Sequence, residues 1–429
     1  MNVLLLGSGG REHAFAWKMS QSPLLSNLYI APGNPGTAEI GTNLPIAVTD
    51  FEGIKSAIIS HHIELVVVGP EEPLVRGIRD FIEADAMISH VGIVGPGKLG
   101  AQLEGSKDFS KNFMNRHKIP TAKSETFIKD TIEEGLAYLA NNVSFPIVLK
   151  ADGLAAGKGV IIAQNLKEAQ DTLKEMLLDA KFGDASSKVV IEDFLHGIEL
   201  SVFVLSDGEN YVILPEAKDY KRIRDNDEGL NTGGMGAVSP VPFANEKFME
   251  KVKSKVVEPT IKGLKEDGIP YQGFIFIGLM NQNGDPSVIE YNVRMGDPET
   301  EVVLPRIESD FLSLLFAASK GKLNGIKIAL SEQFAVTTML VAGGYPEDYR
   351  KGDVMSGFDL VKDAIVFHAG TKEQDGKIVT SGGRVMALTG MSNTLESAIQ
   401  KSQKAANAIQ YEGKHFRKDI GLDVLRYKP

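Results

Sequence analysis

Along roughly the first hundred positions, short unbroken apolar runs alternate with stretches whose apolar residues recur at helical spacing. Val3–Leu6, Leu28–Ala31, Leu65–Val68 and Val91–Val94 are strand-sized and aliphatic. Between them, Arg11–Gln21, Phe51–Ser60 and Glu71–Ala84 read as helices. Continuously apolar strands separated by helices imply a parallel sheet covered on both faces. A Gly- or Pro-rich turn follows each strand: Gly7-Ser8-Gly9-Gly10, Pro32-Gly33-Asn34-Pro35-Gly36, Gly69-Pro70-Glu71 and Gly95-Pro96-Gly97. In an open α/β sheet the carboxyl ends of the strands form the ligand crevice.

From about Leu103 the pattern changes to α+β. A charged helix, Ser106–His117, stops at Ile119-Pro120. Strand Ser124–Ile128, helix Ile132–Ala140, strands Ile147–Lys150 and Val160–Ala163, helix Leu166–Leu178 and strand Val189–Glu192 follow. A long β-rich stretch then turns at Ser206-Asp207-Gly208 and Asn283-Gly284-Asp285. The last segment mixes short strands with Gly-rich turns (Gly343-Gly344, Gly382-Gly383) and ends in a helix over Thr394–Gln410. There is no repeat and no low-complexity linker. Three units are expected: an α/β domain over 1–103, a body over 104–326 and a small α+β domain over 327–429.

Composition narrows the chemistry. Among 429 residues, 46 Lys and Arg against 56 Asp and Glu leave a net charge of −10, which argues against a non-specific nucleic-acid binder and a polybasic membrane-surface protein. Cysteine is absent, which removes disulfides, zinc thiolates, iron–sulfur clusters and cysteine nucleophiles, and fits a reducing cytoplasm. The start, Met1 to Gly7, is too brief for a secretion signal, and no apolar run approaches the ~18 residues of a membrane span. The eight histidines show no metal spacing, and no Gly-x-Ser-x-Gly elbow occurs.

Five constellations carry candidate chemistry. Gly7 to His13 opens a helix after a strand, so backbone N–H groups there can seat a phosphate and Arg11 can add a cation; a ligand-free tight turn is the alternative. Glu12 replaces the third glycine of a dinucleotide fingerprint, and no acidic residue ends the next strand, so an NAD site is disfavoured. Lys150 to Val160 packs small residues between two lysines. Gly153 to Gly157 is one residue short of a Walker loop and Gly159 replaces its hydroxyl, which leaves a phosphate flap between strands, or a hairpin with its lysines in solvent. Glu192 to Ser201 offers a backbone edge for a purine at Phe194–Leu195, and Glu199 as a ribose acceptor, although solvated charges near a hairpin are the ordinary reading. Asp219 to Arg222, running to Asn231-Thr232-Gly233-Gly234-Met235-Gly236, reads equally as a substrate loop or a disordered surface loop. Glu290, Asn292 and Arg294 alternate along one strand and share a face. Carboxylate and amide oxygens suit Mg²⁺, and the arginine fork suits a carboxylate or phosphate.

In this order the segments GSGGREHA (Gly7–Ala14), APGNPGTA (Ala31–Ala38), GPEEPL (Gly69–Leu74), KADGLAAGKGV (Lys150–Val160), EDFLHGIELS (Glu192–Ser201), NTGGMGAVSP (Asn231–Pro240), EYNVRMGDPETE (Glu290–Glu301) and SGGRV (Ser381–Val385) resemble the ATP-grasp enzymes. Within them the chain is most similar to the phosphoribosylamine–glycine ligase (glycinamide ribonucleotide synthetase) family, over essentially its whole length. The resemblance implies an ATP-grasp body of two lobes, one (about 121–196) covering nucleotide. It implies ligation of glycine to 5-phosphoribosylamine through glycyl phosphate in purine synthesis, with ATP and Mg²⁺ (Mn²⁺ as an alternative), small-molecule substrates alone, and a monomer. By that resemblance Lys107, Lys150 and Glu199 hold ATP, Glu192 and Leu195 lie near adenine, and Gly157, Lys158 and Gly159 cover the phosphates. Glu290 and Asn292 bind the metal. Gly9, Gly10 and Arg11 hold the sugar phosphate, Gly69, Pro70 and Glu71 the ribose, Arg294 the glycine carboxylate and Asp219 its ammonium. Many ATP-grasp enzymes add a carboxylate from the preceding strand; here Phe274–Met280 has none. A sister ligase or carboxylase would share the ATP residues and differ in the acceptor.

Overall fold

The computed structural model describes residues 1–153, 159–179 and 181–427. The amino-terminal strands form a five-stranded parallel sheet in the order Thr42–Asn43, Asn27–Pro32, Asn2–Gly7, Leu65–Val68, Gly92–Val94. Leu65–Val68 is buried along its whole length because helices cover both faces. Helices Gly10–Met19 and Phe51–Ser60 fall where the apolar spacing puts them. The third expected helix is broken. Gly77, at φ +88°, separates Glu71–Arg76 from Ile78–Ala84, a left-handed turn that a residue with a Cβ would adopt only under strain.

The body holds two antiparallel sheets. The smaller has the order Ser124–Ile128, Lys188–Asp193, Ile147–Ala151, Val160–Ala163. Helices Ile132–Asn141 and Leu166–Leu177 pack on it around a separate core of Phe127, Leu139, Leu149, Leu173, Met176 and Ile191. The larger sheet has eight strands and runs from Asp285–Asn292 through Gly273–Gln282, Ile198–Ser206, Tyr211–Asp219 and Gly236–Ser239 to Phe334–Val341, Arg384–Ser392 and Ala364–His368. Three carboxy-terminal strands therefore extend the same sheet through the pairing of Gly236–Ser239 with Phe334–Val341.

The stretch read as β-rich also contains helix. Glu246–Val252 and Glu258–Glu266 are joined through a π turn, Lys253–Val257. Phe248, Val252, Val256, Ile261 and Leu264 form its buried stripe, whose helical spacing the π turn breaks with a five-residue step from Val256 to Ile261. Phe311–Ser319 is helical and apolar nearly all round, so periodicity could not distinguish it from a buried strand. Among the described residues no helix is long and apolar enough to cross a membrane.

One contact ties the first helix to the carboxy-terminal strands. The backbone N–H of His368 donates to Nδ1 of His13 at 2.8 Å, a bond that requires an unprotonated ring nitrogen. Nδ1 of His368 pairs with Thr371 Oγ1 at 2.9 Å. Burial lowers both rings, His13 to about 3, where the facing His368 adds to the shift, and His368 to about 4. A histidine buried neutral contributes stability that is complete above its unfolded value near 6.5 and is lost as pH falls toward the folded values. The melting temperature should therefore fall on acidification from pH ~6.5 to ~4. His13→Asn keeps an acceptor but no titratable ring, and should show a shallower fall in calorimetry.

Candidate active site

A cavity of about 490 Å³ lies where the two antiparallel sheets meet the carboxyl ends of the parallel strands. Among the described residues it is lined by eight carboxyl groups and seven cationic side chains, six of these groups being buried, an unusual number of charges to take out of water in one place.

At one end, strand Ile147–Ala151 supplies Lys150, the antiparallel Lys188–Asp193 supplies Glu192, and helix Lys107–Arg116 supplies Lys107 and Lys111 from successive turns of one face. Glu192 pairs with Lys150 and, at 2.5 Å, with Lys111. Burial alone would raise the Glu192 carboxyl, but Lys150 and Lys111 outweigh it and hold it below its ordinary value. Burial would likewise depress Lys150; Glu192 and Glu290 keep it above the ordinary lysine value. Lys107, anchored on the Gly153 carbonyl at 3.1 Å, is lowered by burial. Gly159 lines this end. Gly157 and Lys158 lie outside the described residues. Leu195 is half-buried in the link after Asp193, away from the cavity lining, and Glu199 lines the cavity and pairs with Lys221.

The middle is formed by strand Asp285–Asn292. A bulge at Gly278/Leu279 resets the pairing with Gly273–Gln282, yet Glu290, Asn292 and Arg294 all reach the cavity. Burial would raise Glu290; Lys150, Lys221 and Lys107 outweigh it and keep it ionised. No cationic group lies within 4.0 Å of Glu290 among the described residues, so its oxygens are not committed to a salt bridge. Among the described residues Asn292 Nδ2 is buried without a hydrogen-bond partner, and Asn292 Oδ1 accepts from Arg294 Nη2 at 3.2 Å. An ionised, uncommitted carboxylate beside an amide with spare capacity fits a hard divalent cation that takes its remaining oxygens from phosphates and water. Among the described residues no three His, Asp or Glu side chains converge as a complete metal cage.

At the far end Arg294 Nη2 donates to Glu104 at 2.8 Å, and Nε lies 3.4 Å from Glu71. Arg11 Nε donates to Glu12 at 2.6 Å and Nη1 to the Met295 carbonyl at 3.1 Å, leaving Nη2 without a hydrogen-bond partner among the described residues. Despite burial Arg11 is raised, by Glu12, Asp297 and Glu71. Pro70 and Glu71 line the cavity with it. Gly9 sits just before helix Gly10–Met19, and its N–H donates to Glu12 at 2.7 Å. Gly10 and Gly69 lie behind the lining, where a Cβ would overlap Glu301 and Glu12 respectively. Asp219, at the end of strand Tyr211–Asp219, lies 3.5 Å from Lys221.

Several lining residues escaped the sequence reading. Lys111 repeats Lys107 at i+4, a signal that was available. Lys221, Asp297, Glu299 and Arg384 stood inside quoted segments without a role. Glu104 carries no local signal. Arg384, from the carboxy-terminal strands, donates to the carbonyls of Gly233 at 2.6 Å and Asp297 at 2.5 Å and lies 3.2 Å from the Asp297 carboxylate.

Residues 1–104, 105–300 and 335–423 match, in that order, the models described as phosphoribosylglycinamide synthetase N domain, ATP-grasp (A) domain and C domain. The chain is 47% identical to a phosphoribosylamine–glycine ligase of Pasteurella multocida, over 99% of its own length and 98% of the relative's. It is 44% identical to the bifunctional purine biosynthetic protein PUR2,5 of Pichia angusta, of which it spans about half, 54%. A crystal structure of phosphoribosylamine–glycine ligase from Thermotoga maritima superposes with a TM-score of 0.85 at 36% identity, covering 98% of this chain and 100% of that one. The biotin carboxylase domain of the Hydrogenobacter thermophilus 2-oxoglutarate carboxylase, solved with MgADP, shares the fold at TM-score 0.72 and 18% identity, over 96% of this chain and 91% of that one.

The buried triad gives a direct stability test. Glu192→Gln leaves Lys150 and Lys111 without their shared countercharge and should cost about 3–5 kcal/mol in a urea titration. A loss below about 1 kcal/mol would show that the lysines find solvent instead.

Proposed function

We propose, for a chain that belongs to the phosphoribosylglycinamide synthetase family of ATP-grasp ligases, that glycine is activated as glycyl phosphate in this cavity and passed there to the amine of 5-phosphoribosylamine. Overall, ATP, glycine and 5-phosphoribosylamine give glycinamide ribonucleotide, ADP and phosphate, a step of purine biosynthesis. The observation that carries the reading is the cavity's polarity. Lysines 107, 111 and 150 gather at one end and arginines 11, 294 and 384 at the other, with the ionised, uncommitted Glu290 between them.

The residues divide the work accordingly. A glycine carboxylate is a poor acyl donor because its leaving group would be oxide or hydroxide. Attack of that carboxylate on the γ-phosphoryl group converts the leaving group to phosphate. No protein nucleophile is required; positioning and charge neutralisation suffice. Lys150 and Lys107 line the cavity and would run beside the triphosphate, and Gly159, also in the lining, would help to exclude water from the acyl phosphate. Gly157 and Lys158 are proposed to complete that cover. Glu192 keeps Lys150 charged and Glu199 orients Lys221; Leu195 and the adjoining backbone edge would meet adenine. Glu290 and Asn292 would hold Mg²⁺, with Mn²⁺ as the alternative, and such an ion supplies neutralisation of the phosphate charge.

Arg294 lines the cavity, held by Glu104, Asn292 and the Met295 carbonyl with Glu71 at 3.4 Å, and would orient the glycine carboxylate. Asp219 would face the glycine ammonium. The partner-free Nη2 of Arg11 would meet the sugar phosphate beside the turn at Gly9 and Gly10, and Gly69, Pro70 and Glu71 would border the ribose.

Two measurements test this. With glycine labelled by ¹⁸O in its carboxylate, inorganic phosphate released during ligation should carry one labelled oxygen; unlabelled phosphate would remove the acyl phosphate. Arg294→Lys replaces a planar fork with a point charge. It should raise the KM for glycine at least tenfold while leaving the KM for ATP within about twofold, and an unchanged glycine KM would end that assignment.

A further inference from the structure

Eight carboxyl groups line the cavity, and among the described residues six of them have a cationic partner within 4.0 Å. Arg294 serves Glu71 and Glu104, Lys111 and Lys150 serve Glu192, Lys221 serves Glu199 and Asp219, and Arg384 serves Asp297. The two left over are Glu290 and Glu299. Their surroundings differ in sign: Glu290 faces three lysines, whereas Glu299 faces Asp219 first, with Lys221 and Arg294 weaker.

Glu299 is 4% exposed and built into place. It precedes helix Thr300–Val303, its Oε1 accepts from Ser201 Oγ at 3.3 Å, and a Cβ on Gly296 would overlap its other oxygen. The groups facing it are Ser201 and Asp219 from two strands of the large sheet, Lys221, Arg294, Arg384 and, behind it, Glu301. Burial and then Asp219 push its carboxyl up to about 7. Two carboxyls driven in opposite directions within one cavity is the pattern that separates an ionised electrostatic group from a proton carrier.

We propose that Glu299 is the general base of the ligation step, accepting the proton that the amine of 5-phosphoribosylamine loses as the amide forms. The inference rests on the glycyl phosphate reading. In that step the amine nitrogen attacks the acyl carbon and a C–N bond forms. The C–O bond to the phosphoryl group breaks, its electron pair leaves with inorganic phosphate, and the nitrogen's proton passes to the Glu299 carboxylate, to be returned to solvent after release. Glu299 lines the cavity with Arg294, assigned to the glycine carboxylate, and with Arg384, and is near enough to both to feel their charges, which would set it beside the acyl group that Arg294 orients. Asp219, tied to Lys221, tunes Glu299 rather than replacing it.

The test is Glu299→Gln, assayed with all substrates and ATP labelled by ¹⁸O in the β–γ bridge. Ligation should fall about a hundredfold or more, while glycine-dependent scrambling of the label into the non-bridging β positions persists, because the first step is intact. The glycine KM should stay within about threefold. The rise of wild-type kcat with pH through about 7 should flatten in the variant. Undiminished ligation, loss of scrambling together with ligation, or a glycine KM raised tenfold would each overturn the proposal, the last two by making Glu299 a group for folding or for glycine binding. The ¹⁸O transfer from glycine to phosphate in the wild type judges the underlying acyl phosphate separately.

Discussion

Most of this architecture depends on one constraint: among the described residues eight carboxyls and seven cations crowd one cavity, and Arg11, Glu104, Lys111, Lys150, Glu192 and Glu299 among them are buried. An isolated charge there would cost several kcal/mol, so each must find a counterion, a hydrogen bond or a proton. Glu192 between Lys150 and Lys111 is the first solution, Arg294 between Glu104 and Glu71 the second, and the raised carboxyls of Glu299 and Glu301 the third. Glu301 shows the last most plainly. Behind the cavity lining, it is fully buried, neither oxygen has a hydrogen-bond partner among the described residues, and burial followed by Asp297 pushes it well above the ordinary range. The ligand-binding chemistry then follows from which charges remain uncommitted.

The sequence exposed those elements whose pattern is local. The parallel sheet was legible because Val3–Leu6 and Leu65–Val68 are apolar on both faces, and the turns after them could be placed by their glycines. The face shared by Glu290, Asn292 and Arg294 was legible from alternation alone, and it survives a bulge one residue upstream of Glu290. What stayed hidden depends on distant partners. Glu104 acquires its role only because Arg294, 190 positions away, reaches it. Glu299 looked like one acid among several until Asp219 and Ser201 closed around it. Gly9 and Gly10 read as a phosphate turn, yet their lack of side chains also makes room for Glu12 and Glu301, a packing demand that no spacing reveals. The helix through Lys253–Val257 was obscured for a different reason: a π turn shifts the apolar stripe out of phase.

The eight-stranded sheet explains why the carboxy-terminal residues belong to the site. Arg384 reaches the cavity from a strand hydrogen-bonded to Phe334–Val341, which is in turn paired with Gly236–Ser239 in the body. Its contacts with Gly233 and Asp297 are therefore held by a continuous ladder. The His13–His368 bond ties the edge strand next to Arg384–Ser392 to the first helix of the parallel domain.

The smaller four-stranded sheet is organised differently, since its apolar interior is complete without the rest of the molecule. A unit with its own interior can swing or loosen as a cooperative foldon while the remainder stays native. Here that unit carries Lys150 and Glu192 but none of the arginines. Loosening of that unit would part Lys150 and Glu192 from Lys111, which sits on the helix outside it, while leaving the Arg294–Glu104 pairing intact.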